Sequence, residues 1–212
     1  MSDAELPPVG IVFFDLGNVL VRFDAQRGCA NLAAIANCDT AKVKEVVYDS
    51  GLQWRYEAGE LSCQAFADIV NAGLGSQLAS ERLLSALADM FVVDPGAFSI
   101  ISKLLTSEIR VGLLSNTCAA HWRHLRLHLN IQVLDLLSPI VLSYEVNAIK
   151  PNSRIYERAA EIACVAPESI LFTDDRPENV EAGRQARWRC HQYDNPHDLA
   201  KWLSHQGLPV FV

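Results

Sequence analysis

The sequence lacks the features that direct a chain into a membrane or onto nucleic acid. No apolar stretch is long enough to span a bilayer, and the polar, acidic residues 1–8 do not resemble a signal peptide. There is no long basic run, and the formal net charge is -7. We therefore expect neither nucleic acid nor a membrane as a partner. This charge also repels an anionic substrate unless a metal ion or local Lys and Arg residues reverse the potential near the site.

Closely spaced cysteines are also missing. The six cysteines lie at positions 29, 38, 63, 118, 164 and 190, and no Cys-x-x-Cys pair occurs. We therefore expect neither disulfides nor a zinc site. A reducing cytoplasm is the expected location.

The sequence does have the composition of a globular protein. Of its 212 residues, 50% are hydrophobic and 20% are charged, which is ordinary for a folded chain. The length allows one sizeable domain, or a core with a smaller insert.

Short apolar runs alternate with helical patterns over most of the chain. Strands are predicted at residues 9–14, 110–114, 140–143, 170–173 and 189–193, with helices between them. This alternation predicts an α/β fold, a doubly wound, Rossmann-like parallel sheet with helices on both faces. Residues 24–91 differ, since Ala, Leu and Val at helical spacing predict four or five short helices and no strand. We expect a core of residues 1–23 and 92–212, with an α-helical cap domain inserted at 24–91.

Asp15 directly follows the first apolar run and precedes Leu16, Gly17 and Asn18. The carboxyl ends of parallel strands share one crevice, where ligands bind. A carboxylate there can attack phosphorus and form an acyl phosphate, while backbone N–H groups of the turn behind it hold phosphate oxygens. Taken alone, an Asp in this position is more often a helix cap or turn residue. The other strand ends favour the catalytic interpretation.

Further polar groups follow later runs. Ser115, Asn116 and Thr117 follow residues 111–114, and their hydroxyl and backbone N–H groups are candidates for holding a phosphate oxygen, or for capping a helix. Lys150 precedes Pro151 at a predicted helix start. An ammonium there neutralises the nucleophile and phosphate as charge builds up in the transition state, although most lysines are simply exposed.

Two adjacent carboxylates, Asp174 and Asp175, follow the run at residues 170–173. Near Asp15 they repel each other unless a cation is present. Mg²⁺ fits, because it prefers oxygen ligands and substrate phosphate. The alternative is a helix N-terminus that attracts acidic residues through the helix dipole.

Three histidines, His121, His124 and His128, recur at helical spacing with Arg123 and Arg126 between them. This pattern favours a solvated basic face over a metal site. His121 lies nearest the strand end and is kept as a candidate substrate-binding residue.

Four segments, in this order, resemble the motifs of the haloacid dehalogenase-like superfamily of hydrolases, and the resemblance covers nearly the whole chain. They are Phe14 to Leu20, Leu114 to Thr117, Lys150-Pro151 with Ile155-Tyr156, and Phe172 to Asp175 with Asn179 to Ala182. The segment Trp54 to Ser62 is similar to the cap of the subgroup that includes bacterial glucose-1-phosphate phosphatase.

Gly17 departs from the family pattern. Most phosphatases of the superfamily have a second Asp at this position, which protonates the leaving oxygen and later activates water; such help is typically worth about 10² to 10⁴ in rate. The resemblance implies that the Gly17 carbonyl still contacts the metal. A sugar 1-phosphate suffers less from the loss, because its leaving oxygen is less basic, and the glucose-1-phosphate subgroup also has Gly there.

The resemblance implies a Mg²⁺-dependent phosphatase that forms an aspartyl phosphate on Asp15. Ser115 and Lys150 would be catalytic; Leu16, Gly17, Asn116, Thr117 and His121 would bind substrate; Asp15, Gly17, Asp174 and Asp175 would bind the metal. Glu57, Tyr56 and His121 are candidates for contacts to the leaving group. The expected partner is a small phosphorylated metabolite, possibly a sugar phosphate, and the expected state is a monomer or homodimer.

Two alternatives stay open. A dehalogenase uses the same carboxylate on carbon and needs no metal, so the acidic pair would be superfluous. The second alternative is a catalytically weakened binding module, because Gly17 lacks the carboxylate that most phosphatases of the superfamily have at this position.

Overall fold

A five-stranded parallel sheet forms the centre of the computed structural model, which describes residues 6–129 and 131–210. The strand order is β5-β4-β1-β6-β7. These strands are β1 (Ile11–Phe14), β4 (Val111–Ser115), β5 (Ile140–Leu142), β6 (Ile170–Asp174) and β7 (Arg189–Gln192). Two more strands, β2 (Val21–Phe23) and β3 (Phe91–Val93), form a separate antiparallel pair.

Helices surround the sheet and fill the interval between β2 and β3. Those in the interval are α1 (Ala25–Ala36), α2 (Thr40–Lys44), α3 (Leu52–Glu57), α4 (Cys63–Leu74) and α5 (Ser80–Ala88), with a π-helical turn at Glu45–Asp49. The remainder are α6 (Phe98–Thr106), α7 (Ala119–His128), α8 (Ser143–Val146), α9 (Ser153–Ala163), α10 (Pro177–Gln185) and α11 (Pro196–His205). Among these helices in the described residues, none is both long and apolar enough to cross a membrane.

The central strand β1 is buried on both faces, as its uninterrupted apolar sequence requires. Val12 and Phe14 face one hydrophobic cluster, while Ile11 and Phe13 face another on the opposite side of the sheet. Successive side chains of a strand point to opposite faces, so one four-residue run anchors both layers of helices. The predicted α/β fold, a doubly wound parallel sheet with an inserted helical block, is confirmed.

The helical block packs around a second hydrophobic cluster, to which Cys118 and Ala120 at the start of α7 also belong. Its members include Leu32, Val47, Phe66 and Leu83, each fully or almost fully buried. Side-chain caps fix two of the helix starts: Asp24 accepts hydrogen bonds from the first turn of α1, and Ser62 accepts one from the first turn of α4. The block therefore packs around a core that lies mostly within residues 24–91 and extends to the start of α7.

The prediction that residues 24–91 contain no strand is wrong at the last residue, where β3 begins. Val21 pairs with Val93 and Phe23 with Phe91. Neither three-residue strand was predicted, because each is too short for a periodic pattern and its partner is far away in sequence. The predicted strands of the central sheet lie within a few residues of the observed ones; for example, the strand predicted at residues 110–114 is observed as β4 (Val111–Ser115). A 3₁₀ turn (Pro95–Ala97) precedes α6.

The strand order brings three strand ends together. Because β1 lies between β4 and β6 and all three run parallel, their carboxyl ends are adjacent. Asp15 follows β1, Ser115 ends β4 and Asp174 ends β6. The backbone N–H of Asp15 donates to the carbonyl of Thr173 at 2.9 Å, which joins the β1 and β6 ends directly.

Candidate functional site

A buried ammonium lies at the centre of the site. Nζ of Lys150 is 2.7 Å from Oδ1 of Asp15, 2.6 Å from Oδ2 of Asp174 and 2.9 Å from the carbonyl oxygen of Leu114. The Lys150 side chain is 1% exposed, so all three donors of the ammonium are used within the protein.

The charges of this cluster influence one another strongly. Burial raises the pKa of Asp15 to about 7, while the Lys150 ammonium opposes the rise and Asp174 adds to it. Burial alone lowers the pKa of Lys150, but Asp15 and Asp174 outweigh it and raise that pKa. Lys150 therefore stays charged, and its positive charge favours the anionic form of Asp15 that a nucleophile needs.

Asp174 and Asp175 have different surroundings although they are adjacent. Asp174 is fully buried, and its carboxylate accepts hydrogen bonds from Lys150, from the Asn179 amide at 3.0 and 3.1 Å, and from the Arg176 backbone N–H at 2.9 Å. Asp175 lies at the opening, where Oδ2 accepts from Asn18 Nδ2 at 2.9 Å. Asp174 is thus fixed in place, whereas Asp175 is accessible.

The turn behind Asp15 is tight. The Asn18 backbone N–H donates to the Val21 carbonyl, and that of Val21 donates to the Leu16 carbonyl. In the described part of the chain, no hydrogen bond ends on the Gly17 carbonyl, which leaves this oxygen available. A Cβ at Gly17 would lie 3.3 Å from the Phe23 ring, so a side chain there requires Phe23 to move slightly.

Ser115, Asn116 and Thr117 lie at the end of β4 and line the same cavity as Asp15. The Asn116 side chain pairs with the backbone of Lys150, accepting from its N–H at 2.8 Å and donating to its carbonyl at 2.9 Å. Asn116 therefore positions Lys150 through its side chain, and only its backbone is free for a substrate. The Thr117 backbone N–H donates to Oγ of Ser143 at 2.9 Å.

The cavity has a volume of about 260 Å³ and lies between the strand ends and the helical block. Leu16, Gly17 and His121 line it, as do Gln53, Trp54 and Glu57 from α3. Every residue that the sequence analysis assigned to the site lines this cavity, with two exceptions. Asp174 is buried in contact with Lys150, and Tyr56 is not among the lining residues. The size of the cavity suits a small molecule.

His121 is 6% exposed and packs edge-on against Phe91, with ring centroids 5.2 Å apart. Burial lowers its pKa to about 4, and His124 adds to this. The imidazole is therefore neutral near pH 7 and carries no positive charge for a phosphate. Tyr56, a suggested leaving-group contact, is turned away from the cavity: it stacks on Phe66 and its hydroxyl lies 3.0 Å from Cys63 Sγ.

Two contacts join the helical block to the sheet beside the cavity. The guanidinium carbon of Arg176 lies 5.7 Å from the centroid of the Trp54 ring, which is within cation–π range. Oγ of Ser143 lies 2.6 Å from the Glu57 carbonyl oxygen. Residue 143 therefore connects the β4 end to α3.

Sequence reasoning missed Ser143 and the side-chain role of Asn18. Ser143 directly follows the apolar run of β5, so the strand-end rule that identified Asp15 applied to it as well. Asn18 has a left-handed backbone with φ 54°, which Asn tolerates better than most residues. No sequence signal indicated that its amide would reach Asp175.

The donor set fits a hard divalent cation. One carboxylate oxygen each from Asp15, Asp174 and Asp175 lies within 4.8 Å of the others. Oδ1 of Asn179 is a buried acceptor without a hydrogen-bond partner in the described residues. Oxygen-only surroundings of this kind suit Mg²⁺ rather than zinc, which takes nitrogen and sulfur ligands.

Comparisons with known proteins agree with the fold. The family model described as "Hydrolase: haloacid dehalogenase-like hydrolase" matches residues 9–187. The chain is 26% identical over 202 residues to a D-ribitol-5-phosphate phosphatase of Bacteroides thetaiotaomicron, covering 91% of this chain and 96% of that protein. It is 23% identical over 207 residues to the pyrimidine 5'-nucleotidase YjjG of Escherichia coli, covering 89% and 90%.

A solved structure is similar over most of the chain. It is a haloacid dehalogenase family enzyme from Bacteroides thetaiotaomicron in complex with magnesium and inorganic phosphate. The TM-score is 0.76 at 22% identity, covering 88% of this chain and 95% of that chain.

Proposed function

The chain belongs to the haloacid dehalogenase-like hydrolase family, and from this premise we propose that it is a Mg²⁺-dependent phosphatase. The reaction is hydrolysis of a small phosphoric monoester through an aspartyl phosphate. One observation carries the proposal: oxygens of the Asp15, Asp174 and Asp175 carboxylates lie within 4.8 Å of one another, and the buried Lys150 ammonium binds the first two. Two phosphatases among the similar proteins support the same reaction class.

In this mechanism Asp15 is the nucleophile. Its carboxylate attacks phosphorus and the ester oxygen leaves, which yields the aspartyl phosphate; water then releases phosphate and restores the carboxylate. Lys150 stabilises the charge that develops on the phosphoryl oxygens and the nucleophile. The Ser115 hydroxyl and the backbone N–H groups of Leu16, Gly17 and Asn116 hold those oxygens.

The cation site comprises Asp15, the Gly17 carbonyl and Asp175, with Asp174 beside them. Asp174 already accepts hydrogen bonds from Lys150, Asn179 and the Arg176 backbone, so we assign it mainly to holding Lys150 in place. When bound, Mg²⁺ neutralises charge on the phosphoryl group and orients it for in-line attack.

We infer that the substrate is a small sugar or polyol phosphate. The cavity of about 260 Å³ limits its size, and the segment from Trp54 to Ser62 resembles caps of the glucose-1-phosphate phosphatase subgroup. Thr117 and His121 also line the cavity. A neutral His121 suits contact with a hydroxyl group better than contact with a phosphate.

We also infer that residues 24–91 form a cap that chooses the substrate, while residues 1–23 and 92–212 form the catalytic core. The hydrophobic cluster of the helical block, most of whose members lie within residues 24–91, supports this division. The six cysteines are all free, which supports a reducing cytoplasmic location. A monomer or homodimer remains our expectation for the assembly.

The test is phosphate release from a panel of sugar, polyol and nucleoside monophosphates with and without Mg²⁺. Asp15→Asn is expected to abolish turnover of p-nitrophenyl phosphate, because the amide cannot act as the nucleophile. Asp194→Asn, a change at an exposed carboxylate, serves as the matched control. Full retention of turnover by Asp15→Asn contradicts the mechanism. Metal-independent halide release from a 2-haloacid, without phosphate release, supports the dehalogenase alternative instead.

A further inference from the structure

The cavity contains few groups able to give a proton to a leaving alkoxide. The position two residues after Asp15 is Gly17, which has no side chain to do so. The titratable residues that line the cavity are Asp15, Tyr48, Glu57, His121, Lys150, Asp175 and Arg176. In the proposed function, which this inference deepens, Asp15 and Asp175 act as anions, and Lys150 and Arg176 remain charged. Three candidates are left.

Two of the three are unsuitable proton donors near neutral pH. Burial raises the pKa of the Tyr48 phenol well above its ordinary value, so it holds its proton too tightly. Burial lowers the pKa of His121 to about 4, so its imidazole has already lost the labile proton. Glu57 remains.

The geometry of Glu57 suits a proton donor. The residue ends α3 and lines the cavity that also contains Asp15. Its Oε1 accepts a hydrogen bond from Gln53 Nε2 at 2.8 Å, and its backbone carbonyl is fixed by Ser143 at 2.6 Å. Oε2 has no hydrogen-bond partner among the described residues. It is also not one of their fully buried polar atoms without a partner, so it keeps some solvent exposure. One carboxylate oxygen is thus anchored by Gln53, while the other keeps some solvent exposure in a residue that lines the cavity.

We propose that Glu57 is the general acid and base of this hydrolase, supplied by the helical block in place of the absent side chain at position 17. As the bond from Asp15 to phosphorus forms and the ester P–O bond breaks, the Glu57 carboxyl gives its proton to the leaving oxygen. In the second step, the Glu57 carboxylate takes a proton from water as that water attacks phosphorus. Phosphate leaves, the Asp15 carboxylate is restored and Glu57 is protonated again.

The surroundings of Glu57 favour its protonated form. Burial raises its pKa, and the hydrogen bond from Gln53 and the positive charge of Arg176 oppose the rise. The other titratable groups that face it are the Cys118 thiol and the Tyr48 phenol, whose own ionisation Glu57 disfavours. A carboxyl that keeps its proton closer to neutral pH is better matched to proton transfer there. Above its pKa, the rate for poor leaving groups falls.

The experiment compares Glu57→Gln with the wild-type enzyme on esters whose leaving groups differ in basicity. The probes are p-nitrophenyl phosphate, phenyl phosphate and ribitol 5-phosphate, in order of increasing need for a proton. We expect kcat/KM for ribitol 5-phosphate to fall by at least about 100-fold and that for p-nitrophenyl phosphate by much less, since a weakly basic leaving group gains little from an acid. The fall in ribitol 5-phosphate rate at alkaline pH should disappear in the variant.

A second measurement separates catalysis from structure. Glu57→Gln also lacks the base of the second step, so p-nitrophenyl phosphate should give a burst of p-nitrophenol equal to the enzyme concentration. Glu60→Gln, a change at an exposed Glu paired with Arg55 on the surface, is the control and should match wild type on all three esters.

Equal losses on all three esters, or no loss on any, overturn the assignment of Glu57. Failure of the proposed function is distinct: it appears as absence of Mg²⁺-dependent turnover of every ester by the wild-type enzyme, or as full turnover by Asp15→Asn.

Discussion

Replacing His121 tests how strongly the fold excludes charge from the cavity wall. The imidazole is 6% exposed and its pKa is lowered from the ordinary 6.5 to about 4, chiefly by burial. The folded state therefore binds the proton less readily than the unfolded state does. The stability contributed by the neutral His121 imidazole is therefore fully present above pH 6.5 and is lost as the pH falls toward 4.

The size of the effect follows from that difference in pKa. Since one pKa unit corresponds to 1.36 kcal/mol, the shift sets an upper limit of about 3.4 kcal/mol on what protonation of His121 removes. At pH 5.0, one unit above the folded pKa, the loss is roughly 2 kcal/mol. This is a large share of the about 5–15 kcal/mol that stabilises a typical domain.

The assay is urea unfolding of the wild-type protein and His121→Leu at pH 7.5 and pH 5.0. Leucine cannot be protonated, so the free energy of unfolding of the variant should fall by about 2 kcal/mol less between the two pH values. Packing effects of the substitution are present at both pH values and cancel in this difference. His197→Leu, at an exposed histidine of α11, should behave as the wild-type protein does.

An identical pH dependence in His121→Leu and wild type refutes the reasoning. It would mean that the ring is charged or hydrated in the folded state. It would also remove the argument that His121 contacts a neutral part of the substrate.

Three further predictions concern the core, the junction with the helical block and the metal. Lys150→Met should lose about 3–5 kcal/mol of stability in urea unfolding, because it removes the cation that pairs with two buried carboxylates. The exposed-site control Lys201→Met should lose little. A loss below about 1 kcal/mol in Lys150→Met contradicts the buried ion pair. Gly59→Ala should lower the melting temperature more than Gly75→Ala. Both glycines have positive φ, but of the two only Gly59 would place the added Cβ 2.5 Å from a carbonyl oxygen. An equal fall in melting temperature for the two variants would count against this crowding. Removal of divalent ions with EDTA should stop phosphate release and excess Mg²⁺ should restore it; release that persists in EDTA excludes the proposed cation site.

The strand ends could be predicted from the sequence because buried parallel strands are continuous apolar runs. Asp15, Ser115 and Asp174 could be identified in this way, and the rule that such ends share one crevice predicted their proximity. The same rule would have identified Ser143. The strands β2 and β3 could not be predicted, because pairing between three-residue segments distant in sequence leaves no local pattern.

The role of each residue in the site was harder to predict from the sequence than its presence there. Asp174 and Asp175 are indistinguishable as sequence neighbours, yet one is fully buried against Lys150 and the other is bound by Asn18 at the opening. The Asn116 side chain was available to a substrate on sequence grounds, but both of its polar atoms bind the backbone of Lys150. These differences depend on which way each side chain points.

The α/β class, the inserted helical block and the set of polar residues at the strand ends could be predicted from the sequence, because they follow from local periodicity and from the fixed geometry of parallel strands. Three properties required the folded structure: Lys150 joins Asp15 to Asp174, burial lowers the pKa of His121, and Glu57 lines the cavity with one carboxylate oxygen anchored by Gln53. Each of these properties depends on burial and on contacts between segments far apart in the chain, and burial sets the cost of a charge.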